Sequence, residues 1–404
     1  MEKKENTIRA KRISDDYQEN LRQLFNTAIE SRLPLAIWRM PHQDTVQAIC
    51  QLDNKHSYPN DVESAPQGFY FSPFEITKKT QACFIKADIF LHSNSNEIGI
   101  NPTFGGSDRL DQFLDDLNLM KGKDSFNYHK FLSESATEDS DKSKFLQLVD
   151  KAVKTIKNSN CQKIVPSRQK HITLKENFKP VDEFFKLCEA YSNAMVSLVF
   201  LPNAGLWMGA TPELLLSQDR DQLFKTAALA GTQQVPSDFD LSRAAWTQKE
   251  IEEQAFVSRY IINCFKSIRL REFSEYGPKT VKAGNLIHLK TDFTVDMKQV
   301  NYPQLSTDML QLLHPTSAIC GMPLQEAAQF LKENEGYDRS YFSGYLGPSN
   351  IEEQSSLFVN LRCMQLTRTG AILYAGAGVT EDSNPEYEWE ETEMKMQTLL
   401  NVIG

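Results

Sequence analysis

The 404-residue sequence lacks the features that mark several large classes of protein. It contains no run of about 18 uninterrupted apolar residues, which a membrane-spanning helix requires, so we expect no membrane span. The 44 Lys and Arg residues are outnumbered by 53 Asp and Glu residues, which gives a formal net charge of −9. Sequence-independent nucleic-acid binding needs a basic surface, so this balance argues against it. Neither GxGxxG nor GxxxxGK[ST] occurs, so a dinucleotide fold or a P-loop has no support.

Targeting signals and structural cysteines are also lacking. The seven cysteines are odd in number, dispersed and without a CxxC pair, which indicates free thiols in a reducing compartment. The first 20 residues are charged and carry acids, so neither a signal peptide nor a transit peptide is expected. A hydrophobic share of 40% with 24% charged residues supports a sizeable core. We therefore expect a soluble cytoplasmic protein.

Helix-like and strand-like segments follow one another beyond residue 143. Apolar residues at helical spacing predict helices over 145–156, 182–192, 241–268, 323–334 and from Pro385 to the C-terminus. Apolar runs predict strands over 163–174, 194–202, 206–217, 223–233, 288–297 and in pairs between 340 and 379. Because strands come in adjacent pairs without strict βαβ alternation, we expect an α+β fold with antiparallel sheets. The polar segment 104–143 is typical of a surface excursion.

Two predicted helices carry carboxylates on faces that are otherwise apolar. Glu253 lies four residues before Val257 and extends the buried stripe of its helix. Glu391 and Lys395 share one face with Leu399 on the C-terminal helix. A buried carboxylate needs a cation, a metal or a proton. Each carboxylate therefore fits a structural ion pair, and the two together fit a Mg2+ site completed by anionic ligand oxygens.

Lys163 and Glu213 are candidate acid–base groups in apolar surroundings. Lys163 begins an apolar strand. If its side chain points inward, burial favours loss of its proton and a role as general base. In the alternative interpretation, its amine reaches water at the strand end. Glu213 stands between Pro212 and a Leu triplet, and these apolar surroundings favour a raised pKa and a role as general acid. In the alternative interpretation, Glu213 is a turn residue capped by the backbone. The small-residue turns at 230–232 and 375–378 allow backbone N–H groups to approach an anion.

Nine segments resemble, in order, the motifs of the chorismate-utilising enzymes, which are the isochorismate, salicylate, anthranilate and aminodeoxychorismate synthases. The segments are KIVPSR, GATPELLL, ALAGT, KEIEEQAFV, HPTSAICGMP, ENEGYDRSYFSGYLG, VNLRCMQL, LYAGAGV and PEYEWEETEMK. The similarity covers about 60% of the chain, from about residue 160 to the end. It implies one α+β domain over 1–404, with two packed antiparallel sheets flanked by helices. Residues 1–140 form its less diagnostic part and 150–404 the motif-bearing region.

The resemblance also implies a reaction. In this family a nucleophile adds to ring carbon 2 of chorismate while the 4-hydroxyl leaves and Mg2+ holds the ring carboxylate. The water-using members place a lysine at the head of the KxVxSR strand, and this chain has Lys163 there. The aminodeoxychorismate synthases place a lysine in the turn where this chain has Ala230. Both positions imply that water is the nucleophile. The leading interpretation is a Mg2+-dependent isochorismate synthase, an isomerase of the menaquinone or siderophore type, and Lys163 does not separate it from a salicylate synthase.

Roles for individual residues follow from the same resemblance. It implies that Lys163 takes a proton from the attacking water and that Glu213 protonates the departing hydroxyl. It further implies that Glu253 and Glu391 bind Mg2+. The residues implied to bind the substrate are Gly231, Thr232, His288, Ala318, Ile319, Arg362, Gly376 and Lys395.

Two positions depart from the family pattern. Gln254 follows Glu253 where a histidine is common, and Pro348 replaces the usual Trp. We expect Gln254 to donate a hydrogen bond and to tune the site, and Pro348 to affect only local packing.

Other functions fit the same motifs. A salicylate synthase would eliminate pyruvate after forming isochorismate. An anthranilate-type subunit would need a glutaminase partner, which Lys163 disfavours. An inactive chorismate-binding protein would need no acid–base pair. We expect no glutaminase, nucleic-acid or membrane partner, and a monomer or weak homodimer.

Overall fold

The computed structural model describes residues 9–12, 16–55, 57–77, 80–92, 97–101, 105, 107–122, 127–132, 134, 141–236, 238–283 and 286–403. Within these residues the helices are α1 (Tyr17–Glu30), α2 (Asp108–Leu119), α3 (Lys142–Lys157), α4 (Pro180–Ala190), α5 (Gln248–Ser267), α6 (Leu305–Leu313), α7 (Leu324–Asn334) and α8 (Pro385–Ile403). None of these helices is both long and apolar enough to cross a membrane.

The strands of the same residues fall into an N-terminal and a C-terminal group. The first group is β1 (Arg9–Arg12), β2 (Leu35–Arg39), β3 (Val46–Cys50), β4 (Gly68–Ser72), β5 (Cys83–Lys86), β6 (Ile89–His92) and β7 (Glu97–Ile100). The second begins with β8 (Lys163–Ile164), β9 (Ser167–Ile172), β10 (Met195–Leu201), β11 (Gly205–Thr211), β12 (Leu214–Gln218), β13 (Leu223–Gln234), β14 (Ser274–Ala283) and β15 (Leu286–Asp296). It ends with β16 (Gly321–Met322), β17 (Tyr345–Ser349), β18 (Ser355–Val359), β19 (Cys363–Leu366) and β20 (Ala371–Gly376).

These strands form two large antiparallel sheets and a small one. The first sheet has ten strands in the order β1-β7-β6-β3-β2-β10-β11-β19-β20-β9. The second has eight, in the order β14-β15-β13-β12-β18-β17-β4-β5, and β16 pairs with β8 alone. The N-terminal strands complete both large sheets, since β2 pairs with β10 and β4 pairs with β17. The predicted α+β class with two antiparallel sheets is confirmed.

Apolar side chains fill the space between the two large sheets and beneath the outer helices. Trp38 and Trp207 of the first sheet and Phe71 and Phe358 of the second belong to one buried cluster. The outer face of the first sheet is covered by α1, α2, α4 and α8, and that of the second by α5 and α6. A strand buried on both faces reads as a continuous apolar run, which explains runs such as 194–202.

Two predicted elements begin or end elsewhere than the sequence suggests. The helix predicted over 241–268 begins at Gln248, because Thr247 and Glu250 form a reciprocal capping box there. The strand predicted over 163–174 is two strands, since β8 pairs with β16 whereas β9 pairs with β20. Pro166 lies between them and has no N–H to continue a ladder.

The segment 104–143 is more structured than predicted. It contains α2, whose Leu110, Phe113 and Leu117 are buried and whose N-terminus is capped by the Ser107 side chain. These three apolar residues are spaced as on one face of a helix. The many polar residues between them made this pattern hard to detect in the sequence. The rest of this segment lies partly outside the described residues, as do residues 1–8 and 13–15 of the charged N-terminus.

Candidate active site

A cavity of about 830 Å3, here called the inner cavity, collects most of the sequence-predicted site residues. Eleven predicted residues line it, namely Glu213, Gly231, Thr232, Glu253, His288, Ala318, Ile319, Arg362, Gly376, Glu391 and Lys395. They come from strands of both sheets, from α5 and α8, and from the loop before β16.

Lys163 does not itself line this cavity, but it is bound to one of the carboxylates that do. Its side chain is 2% exposed, and its Nζ lies 2.8 Å from Glu253 Oε1. Burial by itself would raise the pKa of Glu253, but the Lys163 ammonium holds that pKa below its usual value. A Cβ on Gly378 would lie 2.9 Å from Lys163 Cε, so the lysine stem occupies the space that this glycine leaves. The sequence-predicted ion pair of Glu253 is therefore present, and its partner is the candidate base.

Glu391 and Lys395 form a second ion pair on α8. Lys395 Nζ lies 2.7 Å from Glu391 Oε1 and also donates to the Gly376 carbonyl at 2.7 Å. Burial opposes ionisation of Glu391, yet Lys395 keeps its pKa below the usual value. One turn earlier, Glu388 is 1% exposed, and its Oε2 has no hydrogen-bond partner among the described residues. Burial and the neighbouring Glu391 raise the pKa of Glu388.

Glu213 is the protonatable carboxyl group of the inner cavity. It lies between β11 and β12, and its backbone is held there because its carbonyl accepts from Val359 N–H at 3.0 Å. Burial raises its pKa to about 7, against the lowering effect of Lys163, Lys395 and Arg362. A carboxyl group with that pKa is half protonated near neutrality and can donate a proton to a ligand.

Arg362 supplies a positive charge that nothing in the described part of the chain fully satisfies. Its Nη1 is buried without a hydrogen-bond partner, although it lines the inner cavity. Burial lowers its pKa to about 10, and Glu391 and Glu213 oppose that change, so the group stays charged near neutrality. A buried donor without a partner costs free energy, and an anionic ligand would remove that cost.

His288 and the turn at Gly231 form the polar end of the cavity. Gly231 has φ +68, a conformation that favours glycine, at a register shift between β13 and β15. His288 Nδ1 lies 3.1 Å from the Gly231 carbonyl and 3.1 Å from Thr232 Oγ1. Burial lowers the pKa of His288 to about 4, so the ring is neutral at pH 7. Because the carbonyl can only accept, Nδ1 carries the proton and Nε2 is left as an acceptor.

Arg339 also lines the inner cavity, and sequence reasoning missed it. It donates to the carbonyls of Ile319 at 2.8 Å and Val165 at 2.6 Å, and it is paired with Glu335 at 2.6 Å. It therefore joins the loop before β16 to the segment that follows Lys163. Its place within ENEGYDRSYFSGYLG was the available signal, since Arg339 is the only basic residue of that segment and stands among aromatic residues.

The two departures from the family pattern lie outside the inner cavity. Gln254 is buried and donates to Ala228 O at 3.2 Å and Thr291 Oγ1 at 3.0 Å, so it holds α5 against the second sheet. The expected hydrogen bond exists, but it is structural. Pro348 is buried within β17, where it pairs with Phe69 of β4.

Carboxylates are the donor groups that the site offers to a metal. Among the described residues, no group of three or more His, Cys, Asp or Glu side chains is arranged as a complete metal-binding set. Glu253 and Glu391 line one cavity, and Glu388 adds a buried oxygen without a partner. Oxygen donors of this kind fit a hard cation that takes its remaining ligands from substrate and water. Such a cation would have to replace the ammonium contacts of Lys163 and Lys395.

Comparison with known proteins gives one family. A sequence profile described as "Chorismate binding enzyme" matches residues 9–404. Isochorismate synthase EntC of Escherichia coli K12 is 31% identical over 268 residues, which is 64% of this chain and 67% of that protein. Isochorismate synthase MenF of Bacillus subtilis is 24% identical over 355 residues, 83% of this chain and 74% of that protein.

A solved structure shows the same fold. The menaquinone-specific isochorismate synthase MenF from Escherichia coli superposes with a TM-score of 0.71 at 19% identity. The superposition covers 94% of this chain and 91% of that one.

Proposed function

The chain belongs to the chorismate-binding enzyme family, and from that premise we propose that it is an isochorismate synthase, an isomerase. The observation that carries the proposal is the pairing of a buried lysine with a cavity carboxylate, while a second carboxyl group of pKa about 7 faces the same cavity. Water addition with loss of a hydroxyl needs one group to accept a proton and another to donate one.

The proposed reaction balances without any co-reactant. Lys163 takes a proton from a water molecule whose oxygen bonds to ring carbon 2 of chorismate. The ring double bonds shift, and the bond between carbon 4 and its hydroxyl breaks. Glu213 gives its proton to the departing hydroxyl, which leaves as water. One water is consumed and one is released, so the hydroxyl has moved from carbon 4 to carbon 2.

Substrate binding follows from the charges of the cavity. Chorismate carries two carboxylates, and Arg362 and Lys395 supply the cations that would hold them. Thr232, His288 and the backbone at Gly231 and Gly376 supply polar contacts, and Ala318 and Ile319 face the ring. The unpartnered Nη1 of Arg362 supports this placement, because an anion is what it lacks.

We further propose that the enzyme uses Mg2+ bound by Glu253 and Glu391. Bound Mg2+ would neutralise the substrate's ring carboxylate and hold it in place. Each of these glutamates is paired with a lysine in this structure, so metal binding would release Lys163 from Glu253. The amine of Lys163 would then be available to form a hydrogen bond with the attacking water.

Two alternatives receive less support. A salicylate synthase would also eliminate pyruvate, and the relatives reported above are isochorismate synthases. An amidotransferase subunit is disfavoured by Lys163, so we propose that no glutaminase partner is needed. The product would serve menaquinone or catechol siderophore formation in the cytoplasm.

Product analysis tests the proposal directly. We expect the purified protein to convert chorismate with Mg2+ into isochorismate, seen by chromatography and by consumption with added isochorismatase. Salicylate fluorescence without an added lyase, or an aminated product with ammonium salts, would contradict the assignment.

The pH dependence of the reaction tests the role of Glu213. Glu213 can act as an acid only while its carboxyl group is protonated. Because its pKa is about 7, kcat/KM should fall as the pH rises through 7. Glu213→Gln should lower kcat by about 100-fold or more and remove this alkaline limb. Rates measured from pH 6 to 9 check both effects. The exposed Glu272→Gln is the matched control, and an alkaline limb that survives in Glu213→Gln would assign it to another group.

A further inference from the structure

A buried ion pair, Arg339 with Glu335, lies in the wall between the inner cavity and a depression on the protein surface. The depression has a volume of about 1500 Å3, and Arg339 lines both spaces. Both side chains are almost fully buried, and Arg339 Nε lies 2.6 Å from Glu335 Oε2. A buried ion pair often adds no stability over apolar residues of similar volume, so its place beside the cavity favours a role in fixing geometry.

The guanidinium group of Arg339 holds two other segments of the chain. Its Nη1 donates to the Ile319 carbonyl at 2.8 Å, and its Nη2 donates to the Val165 carbonyl at 2.6 Å and to Glu335 at 2.7 Å. With the bond from Nε, four of its five N–H groups donate within the protein. Arg339 therefore has little donor capacity left for a ligand, although it lines the cavity.

Glu335 holds the same part of the chain on the other side of Pro166. Its Oε1 accepts from Ser167 N–H at 2.6 Å and from Ser167 Oγ at 2.8 Å. Val165 and Ser167 flank the proline at which β8 ends and β9 begins. The ion pair thus supplies partners for backbone groups on both sides of this break in the strand.

The two segments that Arg339 joins carry groups of the proposed reaction. Ile319 lines the inner cavity on the loop before β16, and Val165 lines it two residues after Lys163. β8 and β16 are two residues long each, and they pair with each other outside both large sheets. Because so short a ladder has few hydrogen bonds, the contacts of Arg339 are a large part of what holds these segments together.

We propose that Arg339 is a positioning residue for the isochorismate synthase reaction. With Glu335 it fixes the distance between the segment that carries Lys163 and the loop whose Ile319 faces the ring. This inference rests on the proposed function, and it gives Arg339 no contact with the reacting atoms. The rate of such a reaction depends steeply on position, since a displacement of about 1 Å can cost about 100-fold in rate.

Arg339→Lys tests the inference because it keeps the positive charge and removes the planar donor group. An ammonium group on a flexible stem cannot hold Glu335 and two separate carbonyls in one fixed arrangement. We expect kcat for isochorismate formation to fall by about 10- to 100-fold. KM for chorismate should change little, because Arg339 forms none of the charged contacts proposed for the substrate. Steady-state rates over a range of chorismate concentrations separate the two constants.

Arg39→Lys is the matched control. Arg39 is also buried and also donates to backbone carbonyls, to Tyr191 at 2.6 Å and to Ser192 at 2.8 Å. None of these three is among the described residues that line the inner cavity. Arg39→Lys should therefore lower the melting temperature without lowering kcat. If thermal melting shows that Arg339→Lys is not folded, Glu335→Gln, which keeps the size of that side chain, carries the test with the same expected loss of kcat.

Several results would overturn the inference. An unchanged kcat in folded Arg339→Lys would make the ion pair purely structural, and a higher KM with unchanged kcat would make Arg339 a substrate contact. An equal loss of kcat in Arg39→Lys would attribute the effect to general destabilisation. If the wild-type protein forms no isochorismate, the proposed function fails and this inference with it. An active wild type with an equally active Arg339→Lys refutes the positioning role alone.

Discussion

Lys163→Met should lower chorismate turnover by about 10^2- to 10^4-fold, the range that a positioned general base contributes. Methionine keeps the length of the side chain and removes the amine. KM for chorismate should change little, because Arg362 and Lys395 still face the inner cavity. Isochorismate formation at saturating chorismate and Mg2+ measures the effect.

The ion pair complicates this variant, and two further variants resolve the difficulty. Removing Lys163 leaves Glu253 without its 2.8 Å partner, and breaking a buried pair is destabilising. Lys163→Gln keeps a donor towards Glu253 without a basic nitrogen, so it should be folded and equally slow. Lys170→Met, which removes a lysine from the neighbouring strand β9, is the control. Turnover near the wild-type rate in Lys163→Gln would exclude the lysine as the base.

Glu253→Gln and Glu391→Gln should each abolish most Mg2+-dependent activity and weaken metal binding. An amide oxygen carries no charge, so each variant offers a hard cation a poorer ligand. We expect the Mg2+ concentration for half-maximal rate to rise by about 10- to 100-fold, by analogy with the loss caused by removing groups that support a metal ligand. Mn2+ binding followed by electron paramagnetic resonance gives a second readout that does not depend on turnover.

Exposed glutamates on the same helices provide the controls for the metal prediction. Glu252→Gln on α5 and Glu390→Gln on α8 change the same charge next to each candidate ligand. Both should bind Mn2+ as the wild type does. If Glu253→Gln and Glu391→Gln also keep wild-type Mn2+ affinity, the two carboxylates serve only as partners of Lys163 and Lys395, and the metal lies elsewhere.

Much of the site was open to prediction from the sequence because helical spacing constrains which residues share a face. Glu391 and Lys395 stand four apart on α8, and the structure pairs them at 2.7 Å. The apolar stripe of α5 likewise directed Glu253 towards the protein interior. The start of α5 at Gln248 was missed, because the capping box of Thr247 and Glu250 outweighs the polar helix-like residues before it.

Contacts between distant segments were beyond such reasoning. Lys163 and Glu253 are 90 residues apart in the chain, and Arg339 reaches the Val165 carbonyl 174 residues away. The sequence alone is compatible with many different ion pairs between distant residues, because the interaction of two charges depends on their distance in space and not on their separation along the chain. The order of strands in the two sheets selects which of them meet.

By itself, the sequence determined the types of group available for chemistry, the faces on which they stand and the α+β class, because these depend on local spacing and on ordered motifs. Only the tertiary structure decided that the candidate base is bound to a candidate metal ligand and that one guanidinium nitrogen of Arg362 is left unsatisfied. Those features arise from packing helices onto sheets, where burial fixes which charges must find each other.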